Sequence, residues 1–563
     1  MRFSLILACF YSAIACGEDP SNIPAAENFL RRIGPSVAVL GDYLYIEGGT
    51  ITQLVDGEAN TSSLTSVDET LSMSLIGPWT NGSPPLTVIS KAAPTFLQPA
   101  LWTDLHEQAF YMWGGQSTTP VPEQRRLWKF AANGRGVGNW FVIQPANPDV
   151  FAGIKRGRGA SWTTCNGVGM ALGGYGWAET DTDLSDHGRS DMLPLPGLLS
   201  YQLSTGTWAN LSAEAFNGLG TSDKGSAVCL SSSGTRGMGI LLPLGGFTPS
   251  LVTLKDESEN RLDNLTFYDL GTGTWHWQYA SGAIPPGRKA FCSVLLQGSN
   301  DTSEVYFYGG FDPITNATYG DTYVLSLPGF VWFKLSTSHE FPRWGHSCTV
   351  GGGSQMLVVG GQTIYPDGDQ SLYDPDPWPQ GIGVFDLQAL DWTHSCQPNS
   401  IKYQTPQVVD DWYHDGGLER VIWSGQDTKA LFIKTDNSTS SGNSSTTSNG
   451  DTDASPQTPT VATIVGAVLG TLLFLALVAG LFIFYHGQQS RQVRRPSLVK
   501  SPLKVLKVKT VRRIKNFNIF ELSAETRPSE LTSEKEPQEL DSIQINKHLK
   551  LDLGRDRVAV SYL

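Results

Sequence analysis

Charged residues are scarce in this chain, and their scarcity excludes several classes of protein. Asp, Glu, Lys and Arg together make up 17% of the 563 residues, whereas aromatic residues make up 10%. A disordered chain would be rich in charge and poor in aromatic rings. Glycine does not recur at every third position, which excludes collagen. The 60 glycines and 16 tryptophans favour short strands and tight turns over a helical bundle.

Positive charge is lacking in most of the chain and concentrated at its end. Residues 486–563 hold 16 basic and 9 acidic residues, although the whole chain has a net charge of −13. The part before them is therefore acidic. An acidic surface does not attract nucleic-acid phosphates, so we expect no nucleic-acid partner.

Two apolar runs stand near the ends. Met1-Arg2 precedes the apolar run 3–15, which closes with Ala-Ile-Ala. This pattern predicts a signal peptide at 1–15. Residues 461–485 carry no charge and are long enough to span a bilayer as a helix. The ten Lys and Arg residues within 491–515 follow directly, so the positive-inside rule predicts a single-pass protein with an extracellular or luminal N-terminus and a cytoplasmic C-terminus.

Glycosylation sequons support this orientation, because all of them precede the predicted span. Asn-x-Ser/Thr occurs at Asn60, Asn81, Asn210, Asn264, Asn300, Asn316, Asn437 and Asn443.

Residues 436–460 contain 18 Ser, Thr, Asn or Gly residues and no aromatic residue. This segment cannot bury enough surface to fold, and we interpret it as a flexible stalk.

A double glycine after an apolar, strand-like run recurs six times. The first glycines are Gly48, Gly114, Gly173, Gly245, Gly309 and Gly360, at spacings of 51–72 residues. Such a recurrence predicts one four-stranded propeller blade per repeat, with the double glycine ending strand 2.

Aromatic pairs in the same units predict strands 3 and 4. An aromatic residue is followed seven positions later by Trp in Tyr201/Trp208, Tyr268/Trp275 and Phe385/Trp392, and Tyr323/Phe330 is a weaker copy. In blade 2, Trp128 and Trp140 are twelve residues apart, which indicates an insertion. A β-sandwich is the alternative, but it would need the repeats to be accidental.

These motifs resemble the kelch-repeat propellers, from about residue 28 to 399. The likeness extends to single-pass kelch-propeller membrane proteins of filamentous fungi, through LYIEGG at 44–49, TLSMSL at 70–75, Pro78-Trp79 and VVDDWYHDGG at 408–417. The predicted fold is all-β: a six-bladed kelch-type propeller at 16–399, a transmembrane helix and a disordered cytoplasmic tail at 486–563. A seven-bladed propeller is the alternative, because the sequence does not show which strand closes the ring.

Residues 400–435 do not have the pattern of a blade. Val408, Val409, Trp412 and Tyr413 recur at helical spacing, Gly416 suits a helix end, and Ser424 suits the start of a second helix at 426–433. We therefore expect a small helical cap.

Five cysteines lie in or after the repeats. Cys165, Cys229, Cys292 and Cys348 fall on strand 1 of four consecutive blades, and Cys396 follows the last one. A disulfide needs Cα atoms within about 7 Å. We expect inner strands of different blades to lie farther apart than this, so we interpret these cysteines as buried thiols and leave their pairing open.

Enzymatic chemistry has little support in the sequence. Copper radical oxidases share the propeller, but they need two His ligands, a Tyr ligand and a Tyr–Cys crosslink, and no such set is evident. The stretch from Asp181 fails as a calcium loop, because Asp186 stands at its glycine position and Met192 at its glutamate position. We expect no enzyme activity, no cofactor and no metal.

The loops after the double glycines are long, and they share one face with the inter-blade loops. Function concentrates on such loops. The candidate binding residues on this long-loop face are Tyr175, Trp177, Tyr365, Tyr373, Trp378, Asp181, Asp183, Asp367 and Asp369. The predicted function is recognition of a protein or glycan partner at a surface or in the secretory pathway. An exported oxidase, or a membrane tether acting through its cytoplasmic tail, is the alternative.

The basic segment 491–515 mixes ten cationic residues with aliphatic ones and no acid. Such a segment is expected to lie on anionic lipid at the inner leaflet. Ser497 and Ser501 stand in short kinase-like motifs. A phosphate on either would weaken the attraction to the membrane.

Overall fold

The main body of the described part of the chain is six sheets, each built from four antiparallel strands. The computed structural model describes residues 23–61, 64–80, 82–119, 124–249, 257–364, 370–397 and 402–433. Sheet 1 contains Ser36–Leu40, Tyr43–Glu47, Glu69–Ser74 and Leu86–Ser90; sheet 2 contains Ala100–Asp104, Ala109–Trp113, Leu127–Ala132 and Gly138–Ile143; sheet 3 contains Ser161–Cys165, Val168–Leu172, Leu198–Gln202 and Thr207–Leu211. Sheet 4 contains Ser226–Leu230, Ile240–Leu244, Asn264–Asp269 and Thr274–Tyr279; sheet 5 contains Cys292–Gln297, Ser303–Tyr308, Thr322–Leu327 and Val331–Lys334; sheet 6 contains Ser347–Gly351, Gln355–Val359, Ile382–Asp386 and Asp391–Thr393.

Short strand pairs and helices lie between these sheets. The pairs are Phe29–Ile33 with Thr50–Val55, Phe96–Leu97 with Gln116–Ser117, Trp79–Thr80 with Ser395–Cys396, Tyr175–Gly176 with Leu193–Pro194, Phe247–Pro249 with Glu257–Glu259 and Phe311–Asp312 with Ala317–Thr318. Thr50–Val55 also pairs with Glu58–Ala59 and Thr65–Ser66, and Ser281–Gly282 joins the edge of sheet 5. The helices are α1 (Pro148–Gly153), α2 (Glu214–Asn217), α3 (Gln407–His414) and α4 (Gln426–Phe432).

The six sheets stand in a ring. Strand 1 of each sheet lies against strand 1 of the next, and strand 1 of sheet 6 lies against strand 1 of sheet 1. Strand 1 is therefore the inner strand around a central axis. This is the arrangement of a β-propeller, in which each sheet is one blade.

The double glycines join neighbouring blades. In every blade the N–H of the second glycine donates to the carbonyl of the residue four positions before strand 1 of the next blade. The bonds run from Gly49 to Phe96, Gly115 to Gly157, Gly174 to Ser222, Gly246 to Arg288, Gly310 to Arg343 and Gly361 to Arg32, with N···O distances of 2.8–3.0 Å. A Cβ on Gly48 would lie 2.1 Å from the carbonyl oxygen of Phe96, so the approach excludes any side chain there.

The predicted aromatic pairs are confirmed where Trp is the second member. Tyr201 and Trp208 are directly opposite each other on strands 3 and 4, with ring centroids 4.7 Å apart. The other two Trp pairs have the same register. The weaker copy is wrong, because Tyr323 lies opposite Lys334 and Phe330 packs on Phe432 of α4.

The cysteine prediction is corrected. Cys165 is bonded to Cys229, and Cys292 to Cys348, with Cα–Cα distances of 5.3 and 5.8 Å. Inner strands converge toward the axis, and there the distance between neighbouring blades is short enough for a disulfide. Cys396 is buried and forms no disulfide with another described cysteine.

The helical cap is present. Helix α3 contains Val409, which is fully buried, and Gly416 adopts φ 72° just beyond the helix end. Helix α4 begins after Gly425, so Ser424 is not its N-cap residue as predicted. The Ser424 hydroxyl donates to the carbonyl of Trp277 instead, which fastens the cap to blade 4.

The predicted signal peptide, stalk, transmembrane span at 461–485 and cytoplasmic tail with Ser497 and Ser501 lie outside the described residues. Within the part of the chain that the structure describes, no helix has the length and apolarity needed to cross a membrane.

Candidate functional site

The aromatic residues predicted on the long-loop face are mostly structural. Trp177, Trp378 and Tyr175 are buried, with 3%, 4% and 7% of their surface exposed. The Trp378 ring lies under the guanidinium of Arg343, 3.5 Å from centroid to Cζ, and packs on Trp392. These three candidate binding residues therefore offer little surface to a partner, because the long loops fold back over the blades.

The two acids of the blade 3 loop are held by basic partners. Asp181 is fully buried and accepts two hydrogen bonds from Arg125, at 2.9 and 3.0 Å. Burial opposes its ionisation, but the bonds from Arg125 and from the backbone amides of Arg156 and Asp183 hold the pKa of Asp181 below its ordinary value. Asp183 is exposed and pairs with Arg125 and Lys155.

The remaining predicted binding residues come from the blade 6 loop. Tyr373 is partly exposed, and its hydroxyl donates to the carbonyl of Thr61. Tyr365, Asp367 and Asp369 lie outside the described residues. Of the predicted sequons, Asn210, Asn300 and Asn316 are exposed, Asn60 and Asn264 are half-buried, and Asn81, Asn437 and Asn443 are outside the described ranges.

A central channel of about 550 Å³ runs between the inner strands. Its wall is mostly neutral, and small hydroxyl side chains are prominent in it, including Thr103, Thr164, Ser226, Ser293, Ser347 and Thr349. Ser226 and Ser293 bridge two blades at 2.7 Å. Burial, helped by Arg343, lowers the pKa of the channel residue His346 to about 3, so its imidazole is neutral.

A ring of left-handed residues surrounds the end of the channel on the long-loop face. Each lies two positions before strand 1, with φ between 53° and 81°: Gly34, Gln98, Gly159, Lys224, Ala290 and Gly345. Backbone N–H···O bonds of 2.6–3.2 Å connect five of the six junctions between them. At the other junction the Arg158 side chain donates to the side-chain oxygen of Gln98. We call these six residues the channel mouth.

A group of basic side chains lies at the channel mouth. Lys289 pairs with Asp223 at 3.0 Å, and the Lys224 ammonium lies 5.8 Å from the ring centroid of Trp344. Burial opposes ionisation of Asp223, but the charges of Lys289, Lys224 and Arg158 outweigh it and hold the Asp223 pKa below its ordinary value. Arg158, Lys224 and Lys289, which we call the basic cluster, thus all act on the carboxylate of Asp223.

Arg158 makes this cluster more strongly electropositive. It is 7% exposed, and its guanidinium donates to the neutral amide oxygens of Gln98 and Gln116. Burial lowers the Arg158 pKa to about 10, which still leaves it charged at neutral pH. Its hydrogen-bond partners are neutral, while the charges of Asp223, Arg189 and Glu179 act on it through space.

The basic cluster was not singled out from the sequence. Its signal was present as basic residues before three consecutive inner strands, in KRGRGAS, SDKGS and PGRKAFC. Without the ring geometry nothing showed that these residues meet. Among the described residues no group of three or more His, Cys, Asp or Glu side chains could hold a metal ion.

The comparisons with known proteins point to kelch repeats. The chain is 24% identical over 426 residues to a kelch repeat-containing protein of Arthroderma benhamiae, covering 68% of the chain and 60% of that relative. It is also 24% identical to the kelch domain-containing protein 3 of Bos taurus over 149 residues and of Homo sapiens over 180 residues. The chain covers 37% and 45% of those two relatives, and 26% and 30% of the chain is matched.

No family model matches the chain. The solved structure of YjhT aligns with 65% of the chain and 98% of its own length, with 14% identity and a TM-score of 0.42. The kelch-repeat relatives, together with the six blades and their double glycines, support a kelch β-propeller.

Proposed function

We propose that this protein is an exported, membrane-anchored recognition propeller that binds an anionic segment of a protein partner at its channel mouth. The observation that carries the proposal is the basic cluster of Arg158, Lys224 and Lys289 next to the carboxylate of Asp223. The rest of the chain before residue 486 is acidic, so this mouth is a local reversal of charge. Such a reversal favours one orientation of an anionic partner.

The long-loop face is well suited to a peptide-like segment. The mouth opens into a channel of about 550 Å³ whose wall is mostly neutral and offers hydroxyl groups for hydrogen bonds. Ligand sites commonly combine such a concave, neutral wall with a few placed charges. Kelch-repeat relatives favour a protein partner over a small substrate.

Export is supported by the two disulfides as well as by the predicted signal peptide. Cys165–Cys229 and Cys292–Cys348 each join neighbouring blades, and disulfides persist mainly in oxidising compartments. Export is tested with a C-terminal tag on the full chain in a eukaryotic host. Protease applied to intact cells should remove the propeller and spare the tag, and loss of the tag would overturn the orientation.

Partner binding is tested by photo-crosslinking in the full chain. A photoreactive phenylalanine analogue replaces Pro286, which is exposed on the loop leading to Lys289, or Met238, which is exposed on the opposite face. We expect a protein to be captured from Pro286 and not from Met238, and Lys224→Glu to reduce the capture about tenfold. Equal capture from both positions would contradict the proposal. Capture of a free glycan would mean that the partner is a glycan and not a protein.

A further inference from the structure

A groove opens on the outer part of blade 4, on the side that faces blade 3. It consists of two adjoining cavities of about 240 and 300 Å³, which share Phe216, Asn264 and Thr266 in their walls. Blade 3 ends nearby in the short helix α2, which contributes Phe216. The wedge between two blades widens away from the axis, and here no side chain of the described residues fills it.

One wall of the groove is a row of aromatic rings on strand 4 of blade 4. Trp275, Trp277 and Tyr279 alternate along this strand and therefore share one face. Trp275 is covered by Phe216 and donates its indole N–H to the carbonyl of Ser212. Trp277 and Tyr279 are 43% and 57% exposed and meet edge to face at 5.1 Å. We call these two rings the aromatic shelf.

The sequon Asn264-Leu-Thr266 lies directly beside the shelf. In the strand register Asn264 is opposite Tyr279, and Thr266 is opposite Trp277. Side chains in opposite positions of an antiparallel pair point to the same face, so the side chain of Asn264 lies on the same face as both rings. Its Oδ1 is buried and has no hydrogen-bond partner among the described residues.

We propose that the aromatic shelf holds the first sugars of an N-glycan attached to Asn264. The inference rests on the export that is part of the proposed function. The amide Nδ2 of Asn264 forms the bond to the anomeric carbon of an oligosaccharide carried on a lipid diphosphate. Nδ2 loses one proton, and the diphosphate leaves with the electron pair of the broken bond. The apolar C–H face of the sugar then packs on the rings, and a sugar N–H or O–H reaches the unsatisfied Oδ1.

A glycan of the chain itself fits this groove better than an outside partner does. The attachment atom lies within the groove, so the sugar arrives without the entropy cost of a separate binding event. Exposed aromatic rings on the outermost strand of a sheet invite association between chains, and a covering glycan removes that hazard. A second copy of the chain or a free saccharide is the alternative occupant.

The test measures glycan occupancy and glycan release in the full chain, expressed in a glycosylating host. Asn316 is the matched control, since it is an exposed sequon in a turn. Peptide mass spectrometry should find glycans at both sites. A glycosidase applied to the native protein should release the glycan of Asn264 about tenfold more slowly than that of Asn316. Trp277→Ala or Tyr279→Ala should reduce this difference, and Trp277→Phe should keep most of it.

Each other outcome overturns a defined part of the proposal. If both sites are occupied and released equally fast, or if slow release survives Trp277→Ala with Tyr279→Ala, the shelf does not hold the glycan. If Asn316 is occupied and Asn264 is not, the shelf proposal fails while export stands. If neither site is occupied, export itself fails. Thermal denaturation of each variant verifies that it is folded, and self-association of the Asn264→Gln variant alone would indicate a second copy as occupant.

Discussion

The backbone N–H of Gly361, in the last blade, donates to the carbonyl of Arg32, ahead of the first blade, at 2.8 Å. Equivalent bonds join the other five pairs of neighbouring blades, so this bond closes the ring between the two ends of the propeller. The pairing of Trp79–Thr80 with Ser395–Cys396 adds a second connection between blade 1 and the chain that follows blade 6. Six blades therefore complete the ring.

Ring closure predicts that Gly360 is intolerant of a side chain. A Cβ at this position would lie 2.7 Å from the carbonyl oxygen of Arg32. We expect Gly360→Ala to lower the free energy of unfolding by about 2–4 kcal/mol. Gly57→Ala is the control, because Gly57 also has positive φ but a Cβ added there would meet no atom of the described residues within 4 Å. This substitution should cost about 1–2 kcal/mol. Denaturant unfolding measures both, and equal losses would argue against closure at this bond.

Asp181 is predicted to stabilise the blade 3 loop and not to contact a partner. Asp181→Asn removes a buried carboxylate that accepts two bonds from Arg125. Breaking a buried pair leaves the other charge without compensation, so we expect a loss of about 2–4 kcal/mol. Asp183→Asn, at an exposed position, should cost under about 1 kcal/mol. Thermal unfolding of the two variants distinguishes them. If Asp181→Asn leaves the stability unchanged, Asp181 is again a candidate for contact with a partner.

Contact between the cap segment and blade 5 is predicted to weaken as the pH rises. Burial raises the pKa of Glu304 to about 7, and its carboxyl accepts bonds from Ser326 and Tyr403. The folded state therefore binds this proton more tightly than the unfolded state. The stabilisation is complete below a pH of about 4.5 and is lost as the pH rises to about 7.

Glu304→Gln tests this pH dependence. The variant should be more stable than the parent at pH 8, on the order of 2 kcal/mol, with little difference at pH 4.5. Exposed Glu340→Gln provides the control for a change of one surface charge. Unfolding free energies at the two pH values are compared, and a parent-to-variant difference that does not change with pH would refute the prediction.

The disulfides are predicted to hold the inner strands together. Cys165 and Cys229 are separated by 64 residues, so opening their bond frees a long loop in the unfolded chain. We expect Cys165→Ser with Cys229→Ser to cost about 2–4 kcal/mol. Alkylation of the unfolded, unreduced protein should label Cys396 and spare the other four cysteines of the blades. Labelling of all five would mean that the bonds do not form.

The repeat was predictable from sequence because its signal is local. Each double glycine marks a close approach that no side chain permits, and the seven-residue Tyr201/Trp208 spacing follows from a short hairpin. Loop interiors were not predictable in this way. Loop length did not show that Trp177 and Trp378 are buried against the blades. Nor did it show that Asp181 pairs with Arg125, 56 residues before it.

The distances between the inner strands of neighbouring blades were also not predictable from the sequence. The positions of the four cysteines on strand 1 were correct, but the closeness of inner strands follows from ring geometry and not from the spacing along the chain. The basic cluster escaped notice for the same reason, because Arg158, Lys224 and Lys289 come from three different inter-blade loops.

Affinity for the crosslinked partner, measured with the full chain as a function of charge at the channel mouth, tests the central claim most directly. Lys224→Glu should raise the Kd about tenfold or more, and added salt should weaken binding by the parent. Arg135→Glu makes the same change of charge at an exposed residue in a turn on the opposite face and should leave the Kd unchanged. An equal effect of the two substitutions, or a Kd that does not change with Lys224→Glu, would contradict recognition at the channel mouth.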